Sequence, residues 1–184
     1  MPTLHPTSPE GRSPQRQTFD DRRTGAASPG SASLHILFAS TSGHTEHVVD
    51  TLIQSLTGAG VPTATIEKQM VDLAKPEDLL HGDVVVLACG TWNTGGSEGQ
   101  LSPHMHVYLR DTAKDVDLKG RSFAVIGLGD ERYFYTARAG QYLKQFVEQH
   151  GGSLVVEPLK IVNEPYGQEE TVRAWAKTLL PHLQ

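Results

Sequence analysis

From Leu34 onward the chain alternates between short apolar runs and stretches in which apolar residues recur every three or four positions. Leu34 to Ala39 is continuously apolar apart from one histidine and lacks turn residues, the mark of a strand covered on both faces. Val48, Val49, Leu52, Ile53 and Leu56 follow at helical spacing, and "GAG" at 58–60 supplies a glycine stop. A strand is predicted around Pro62 to Glu67. Two further buried strands are predicted at "DVVVLAC" (83–89) and "SFAVIG" (122–127). A helix over about Thr136 to His150 puts Tyr142, Leu143, Phe146 and Val147 on one face and ends at "HGG". The last strand falls near Leu154 to Glu157, with a continuation at Lys160-Ile161-Val162. The final helix, about Glu169 to Leu183, turns Val172, Trp175, Ala176, Leu179 and Leu180 inward.

Five strands separated by helices define an α/β chain: a parallel, doubly wound sheet with right-handed crossovers and helices on both faces. Such sheets bind ligands beyond the carboxyl ends of their strands, where the strand order reverses. The loops after the first, third and fourth strands are therefore where unusual chemistry should lie.

The first 33 residues follow no such pattern. They are rich in Pro, Ser, Thr, Gly and Arg, with few apolar residues, and cannot bury enough surface to offset the entropy of ordering. Residues 1–33 are read as a disordered tail and 34–184 as the folded domain. A transit peptide is disfavoured by Glu10, Asp20 and Asp21. The net charge of −5 argues against nucleic acid or an anionic membrane as partner, and because the tail is slightly basic the domain is more acidic still. No segment approaches the roughly 18 apolar residues of a membrane span. Cys89 is the one cysteine, so no internal disulfide can form. The expected setting is the cytoplasm.

The first loop is Ser40-Thr41-Ser42-Gly43-His44-Thr45. Hydroxyls and a glycine at a helix N-terminus suit a phosphate, because the free N–H groups and the helix dipole already favour an anion there. A simple helix cap by Ser42 or Thr45 is the alternative. No Lys follows the glycine, so this is not a nucleoside-triphosphate loop, and it is not G-x-G-x-x-G. The loop after the third strand, "CGTWNTGGSEGQL" (89–101), places Trp92 among glycines, where a flat ligand could stack or the indole could anchor the loop. The loop after the fourth strand, "GLGDERYFYTARAG" (127–140), carries Asp130 and three consecutive aromatics, Tyr133, Phe134 and Tyr135. Together the three loops favour a phosphorylated, planar ligand.

On these residues the chain resembles the flavodoxins, specifically the short-chain type. Ser40 to Thr45 resembles the family's [S/T]-x-[S/T]-G-x-T loop. Cys89-Gly90-Thr91-Trp92, with Glu98 and Gln100, resembles its second loop. Gly127-x-Gly129-Asp130-x-x-Tyr133 resembles its third, and the closing "LKI…EP…VRAWAKTL" its last strand and helix. The resemblance implies a five-stranded sheet of order 2-1-3-4-5 and bound FMN as a one-electron carrier. It implies a phosphate held by Ser40, Thr41, Ser42, Gly43, His44 and Thr45. The isoalloxazine would lie among Gly90, Thr91, Trp92, Asn93, Thr94, Gly95, Gln100, Gly127, Leu128, Gly129, Asp130, Tyr133 and Tyr135, with Trp92 on its inner face and Tyr133 on its outer. No residue is assigned to catalysis or to a metal. The implied partners are redox proteins: an NAD(P)H-dependent flavodoxin reductase or similar donor, and acceptor enzymes, met by a monomer. Competing readings are an FMN-dependent quinone or nitro reductase of the same fold, and a flavodoxin-like activator of a radical enzyme. A response-regulator receiver is set aside, because the paired acids after strand one and the phosphoacceptor Asp after strand three are missing.

The chain departs from the pattern in several places, His44 in the first loop among them. Asn93 replaces the Gly usual after the Trp, and the often acidic next positions are Thr94 and Gly95. Arg132 precedes Tyr133. Fewer negative charges near the ring predict a less negative second potential than in a typical short-chain relative. His104 and His106, two residues apart, do not share a helical face and make a weak metal pair. Cys89, Tyr142 and Trp175 are read as packing residues.

Overall fold

The computed structural model describes residues 32–184. The predicted tail therefore lies outside the described residues except for Ala32 and Ser33. Those two belong with the domain: Ala32 packs on the core, and the Ser33 N–H and hydroxyl both donate to Asp83 Oδ2, at 2.7 and 2.8 Å.

In chain order the main elements are strand β1 (Leu34–Ala39), helix α1 (His44–Gly58), strand β2 (Ile66–Met70) and strand β3 (Val84–Trp92). A two-residue strand β4 (Gln100–Leu101), a short helix α2 (Pro103–Val107) and strand β5 (Ser122–Gly129) follow. Helix α3 (Ala139–Gln149), strands β6 (Ser153–Leu154) and β7 (Leu159–Val162), and helix α4 (Glu169–Leu179) complete the domain.

β2, β1, β3 and β5 lie side by side in parallel, and both β6 and β7 pair in parallel with β5. Counting β6 and β7 as two parts of one edge strand, the order is the expected 2-1-3-4-5. The edge strand is broken at Val155–Pro158, where proline cannot donate to a ladder and the Glu157 carbonyl instead accepts the Trp175 indole N–H at 2.8 Å. β4 folds back antiparallel on the end of β3, pairing Leu101 with Thr91 and Gln100 with Trp92.

Alternation along the strands divides the core in two. Leu34, Ile36, Phe38, Val84, Val86, Ala124 and Ile126 face α1 and α4. Leu37, Val85, Leu87, Phe123 and Val125 face the other way, against α3 and the segment containing α2. Cys89, Trp175 and Tyr142 are packing residues as expected: the first two are buried, and Tyr142 packs on the second core. Burial pushes the Cys89 thiol up to about 12, so it carries no reactive thiolate at neutral pH.

Three expectations need correction. The second strand begins at Ile66, because Thr63–Thr65 form a 3-10 turn closed by Thr65 donating its N–H and hydroxyl to Pro62 O. The helix expected from Thr136 begins at Ala139. The helix expected to reach Leu183 ends at Leu179 in a 3-10 turn over 180–182. A helical segment over 103–112, unassigned from sequence, leaves α2 through a wide turn in which Ala113 N–H donates to Tyr108 O at 2.8 Å.

Candidate functional site: three loops at the carboxyl edge of the sheet

The loop from β1 into α1 turns at Gly43, whose φ of 86° lies in the left-handed region and whose Cβ position faces open space. No side chain caps α1. Ser40 Oγ accepts a long bond from Glu46 N–H at 3.4 Å. Among the described residues, the N–H groups of Ser42 to Thr45 and the hydroxyls of Thr41 and Ser42 have no partner. Capping by Ser42 or Thr45 is therefore not what the loop does: its donors are left free at the start of the helix, an arrangement that suits an anion.

Thr41, Ser42, His44 and Thr45 line a cavity of about 220 Å³ together with Gly90, Thr91, Trp92, Leu128, Gly129, Asp130, Arg132, Asn163 and Glu164. A second cavity of about 340 Å³ adjoins it, lined by Thr91, Trp92, Asn93, Glu98, Gly99, Asp130, Arg132, Tyr133, Tyr135 and Thr136. Thr91, Trp92, Asp130 and Arg132 border both, so the cavities form one elongated depression with a hydroxyl-lined end and an aromatic end. Its shape and donors fit an FMN: free N–H and O–H groups at one end, and half-exposed Trp92 and Tyr133 at the other. The buried Thr136 hydroxyl at the aromatic end has no partner in the protein.

Gly90 has a local reason: a Cβ there would sit 3.2 Å from Trp92 Nε1, so glycine lets the indole lie close over the backbone. Thr91 Oγ1 accepts from Ala139 N–H at 3.0 Å and so fixes the start of α3 against β3. Asn93 does not take the positive φ that its identity permits. Its φ is −94°, and the left-handed residues of this loop are Gly95, Gly96 and Gly99. Tyr135 is held from two sides, by Arg138 4.3 Å from its ring centroid and by Gly99, whose missing Cβ makes room for it.

Arg132, the one Lys or Arg lining either cavity, is paired with Asp130 through both its Nε and Nη2, and this holds the Asp130 carboxyl down at about 2. Arg132 is therefore engaged beside the cavities, while Glu98, Asp130 and Glu164 also line them. Any charge relief near the ring is partial.

Several residues named from sequence stand apart from the depression. Gln100 points away, its amide 3.4 Å from the Tyr142 hydroxyl, in a groove with Leu101 and His106. Gly127 is a packing glycine: a Cβ would come within 2.5 Å of Gly140 N. The Thr94 hydroxyl is committed to Leu101 O at 2.7 Å, and Gly95 serves the turn. Ser40 and Gly43 shape the first loop without lining a cavity. Asn163 and Glu164, which do line it, escaped the sequence reading. Asn163 adopts φ 69°, donates its N–H to Gly129 O at 2.7 Å and accepts from Glu131 N–H; Glu164 meets His44 Nε2 at 3.2 Å. They follow β7 at the same sheet edge, the position that singled out the other three loops. His104 pairs with Asp72, and His106 faces Arg110.

A doubly wound sheet with this depression at its carboxyl edge defines an FMN-binding electron-transfer protein. The profile of the flavodoxin family matches residues 36–175, and the chain belongs to that family. It is similar to a flavodoxin of Nitratidesulfovibrio vulgaris, 30% identical over 156 residues covering 83% of this chain and 99% of the relative. It is equally similar to a probable flavodoxin 2 of Bacillus subtilis, 30% identical over 76% of this chain and 87% of the relative. Oxidised Flavodoxin 2 from Bacillus cereus superposes with a TM-score of 0.72 at 28% identity, over 82% of this chain and 99% of that one.

Proposed function

We propose that this flavodoxin is a freely diffusing, monomeric, cytoplasmic carrier that performs no chemistry on a bound substrate. It takes electrons from an NAD(P)H-dependent flavodoxin reductase or a similar donor and delivers them to acceptor enzymes. The observation that carries this reading is the exposure of the aromatic end: Trp92, Tyr133 and Tyr135 are 41%, 50% and 40% exposed, so an electron can leave through the rim to a docked protein.

Thr41, Ser42 and Thr45, with the free N–H groups of the first turn of α1, hold the phosphate without a lysine. Trp92 and Tyr133 flank the flavin ring. FMN, when bound, supplies one-electron chemistry, and the protein contributes orientation and field. The acidic surface steers basic partners, an effect that salt screens.

The test is to follow NADPH oxidation by the FMN-loaded protein with cytochrome c as the acceptor, with and without an added flavodoxin reductase. A carrier passes electrons only when the reductase is present. Sustained NADH or NADPH oxidation by the protein alone, with a quinone as acceptor, would establish the enzyme reading in its place.

A further inference from the structure

At the opposite, amino end of the sheet lies a cluster that the flavin site does not use. His35, the second residue of β1, is 1% exposed, a rare position for an imidazole in the middle of an apolar strand. Its β2 neighbour in the register is Glu67, and Gln69 lies two residues further along the same face. The His81 ring stacks on that of His35, with centroids 5.8 Å apart. His35, Glu67 and His81 each offer a ligand atom, and these atoms lie within 4.8 Å of one another.

The hydrogen bonds around His35 leave a positive charge wanting. Its Nδ1 faces Asp78 O at 2.9 Å, and its Nε2 faces Gln69 Oε1 at 3.1 Å. The Gln69 amide cannot be turned round, because its Nε2 donates to Leu73 O and Asp78 Oδ2, both at 3.1 Å. Two acceptors thus converge on a ring that, when neutral, has one proton. With that proton on Nδ1, the Nε2 lone pair points at an oxygen, beside a carboxylate and a second imidazole. A cation resolves such a convergence of acceptors.

The geometry points to a binding site for one divalent transition metal of the zinc type, with His35, His81 and Glu67 as ligands. Two imidazoles and a carboxylate are an established donor set for Zn²⁺, with the fourth position left to Gln69 Oε1 or water. The outer contact at His35 is one a metal-bound histidine needs. Nδ1 of His35 donates to a backbone carbonyl, and Nδ1 of His81 lies 3.5 Å from Asp78 Oδ1. Asp78 is itself fixed by the Lys75 N–H at 2.7 Å and held below the ordinary carboxylate range, so it stays available as an acceptor. The turn that carries His81 is anchored by Arg121, which donates to the carbonyls of Leu80 and Gly82. Glu67 and His81 are exposed, which opens a path from solvent. A metal here would tie β2 and the segment before β3 to β1, and this proposal is independent of the flavin reading.

The full-length, FMN-loaded protein, stripped with chelator, is titrated calorimetrically with ZnCl₂. The expected result is one saturable site per chain that His81→Ala and Glu67→Gln each weaken by about tenfold or more. His104→Ala should leave it unchanged. Zn²⁺ should raise the melting temperature of the parent and of His104→Ala but not of His81→Ala. Both substitutions that test the site are at exposed side chains and spare the fold. No saturable binding, or binding that survives both His81→Ala and Glu67→Gln, would overturn the proposal.

Discussion

The loops leaving β1 and β5 both look, in sequence, like glycine punctuation around a ligand, but their glycines do opposite work. Gly43 faces open space and takes a left-handed φ, which leaves the donors at the start of α1 unused. Gly127 and Gly129 face backbone. A Cβ on Gly129 would overlap Ala137 N, and one on Gly127 would press on Gly140. One loop is built to leave room, and the other to bring α3 hard against β5 so that Asp130 and Tyr133 emerge at a fixed place.

This contrast is most sharply broken by swapping the demands. Gly129→Ala should destabilise the apoprotein by about 3 kcal/mol or more, because two backbones meet and neither can yield. Gly43→Asn should stay within about 1 kcal/mol of the parent, since asparagine tolerates the left-handed region. Urea denaturation of both variants decides; equal losses would end the distinction. A smaller effect is expected in the open loop. Thr41→Ala or Ser42→Ala should each weaken FMN by roughly tenfold to a hundredfold, the worth of one hydrogen bond to a charged group. Neither should change riboflavin binding or stability. Flavin fluorescence during titration reads both.

The crowded loop has its own electrostatic signature. Asp130 is held at about 2 by Arg132, so the ion pair is complete above the ordinary value of 3.8 and is lost as pH falls through about 2. Arg132→Gln should return the Asp130 carboxyl toward 3.8, seen by carboxyl NMR titration. The same substitution removes a cation at the rim of the aromatic cavity. It should make the second FMN potential more negative by on the order of 20 mV, a charge acting through mostly aqueous surroundings. A shift to less negative values would contradict the account of Arg132.

The parts of the fold that the sequence made legible are those where one demand dominates. β1, β3 and β5 are central and covered on both faces, so their apolar runs could be nothing else. The edges were harder. β2 reads from Ile66 rather than Pro62, because half its face is solvated and a local turn competes for Thr63–Thr65. The outer strand breaks at Pro158, where an indole takes over a carbonyl that the ladder gave up. The segment over 103–112 is hard to read from sequence, because its buried stripe of Met105, Tyr108 and Leu109 is interrupted by His104, His106 and Arg110 and opens on Pro103. In the site, the three loops were legible as a set. Gln100 was not, since its direction depends on the β3–β4 pairing. Asn163 and Glu164 were missed because no single residue among "VNEPY" is unusual; only the strand end before them marks the place. His35 is one polar residue in an apolar strand, and only the register with Glu67 brings its neighbours into view.

That the open loop reads a phosphate without Lys or Arg is tested most directly by titrating the apoprotein with FMN and riboflavin in parallel. The account predicts one FMN bound per chain and riboflavin at least about a hundredfold weaker, the worth of two hydrogen bonds to the phosphate. Equal affinity for the two flavins, or no binding of either, would contradict it.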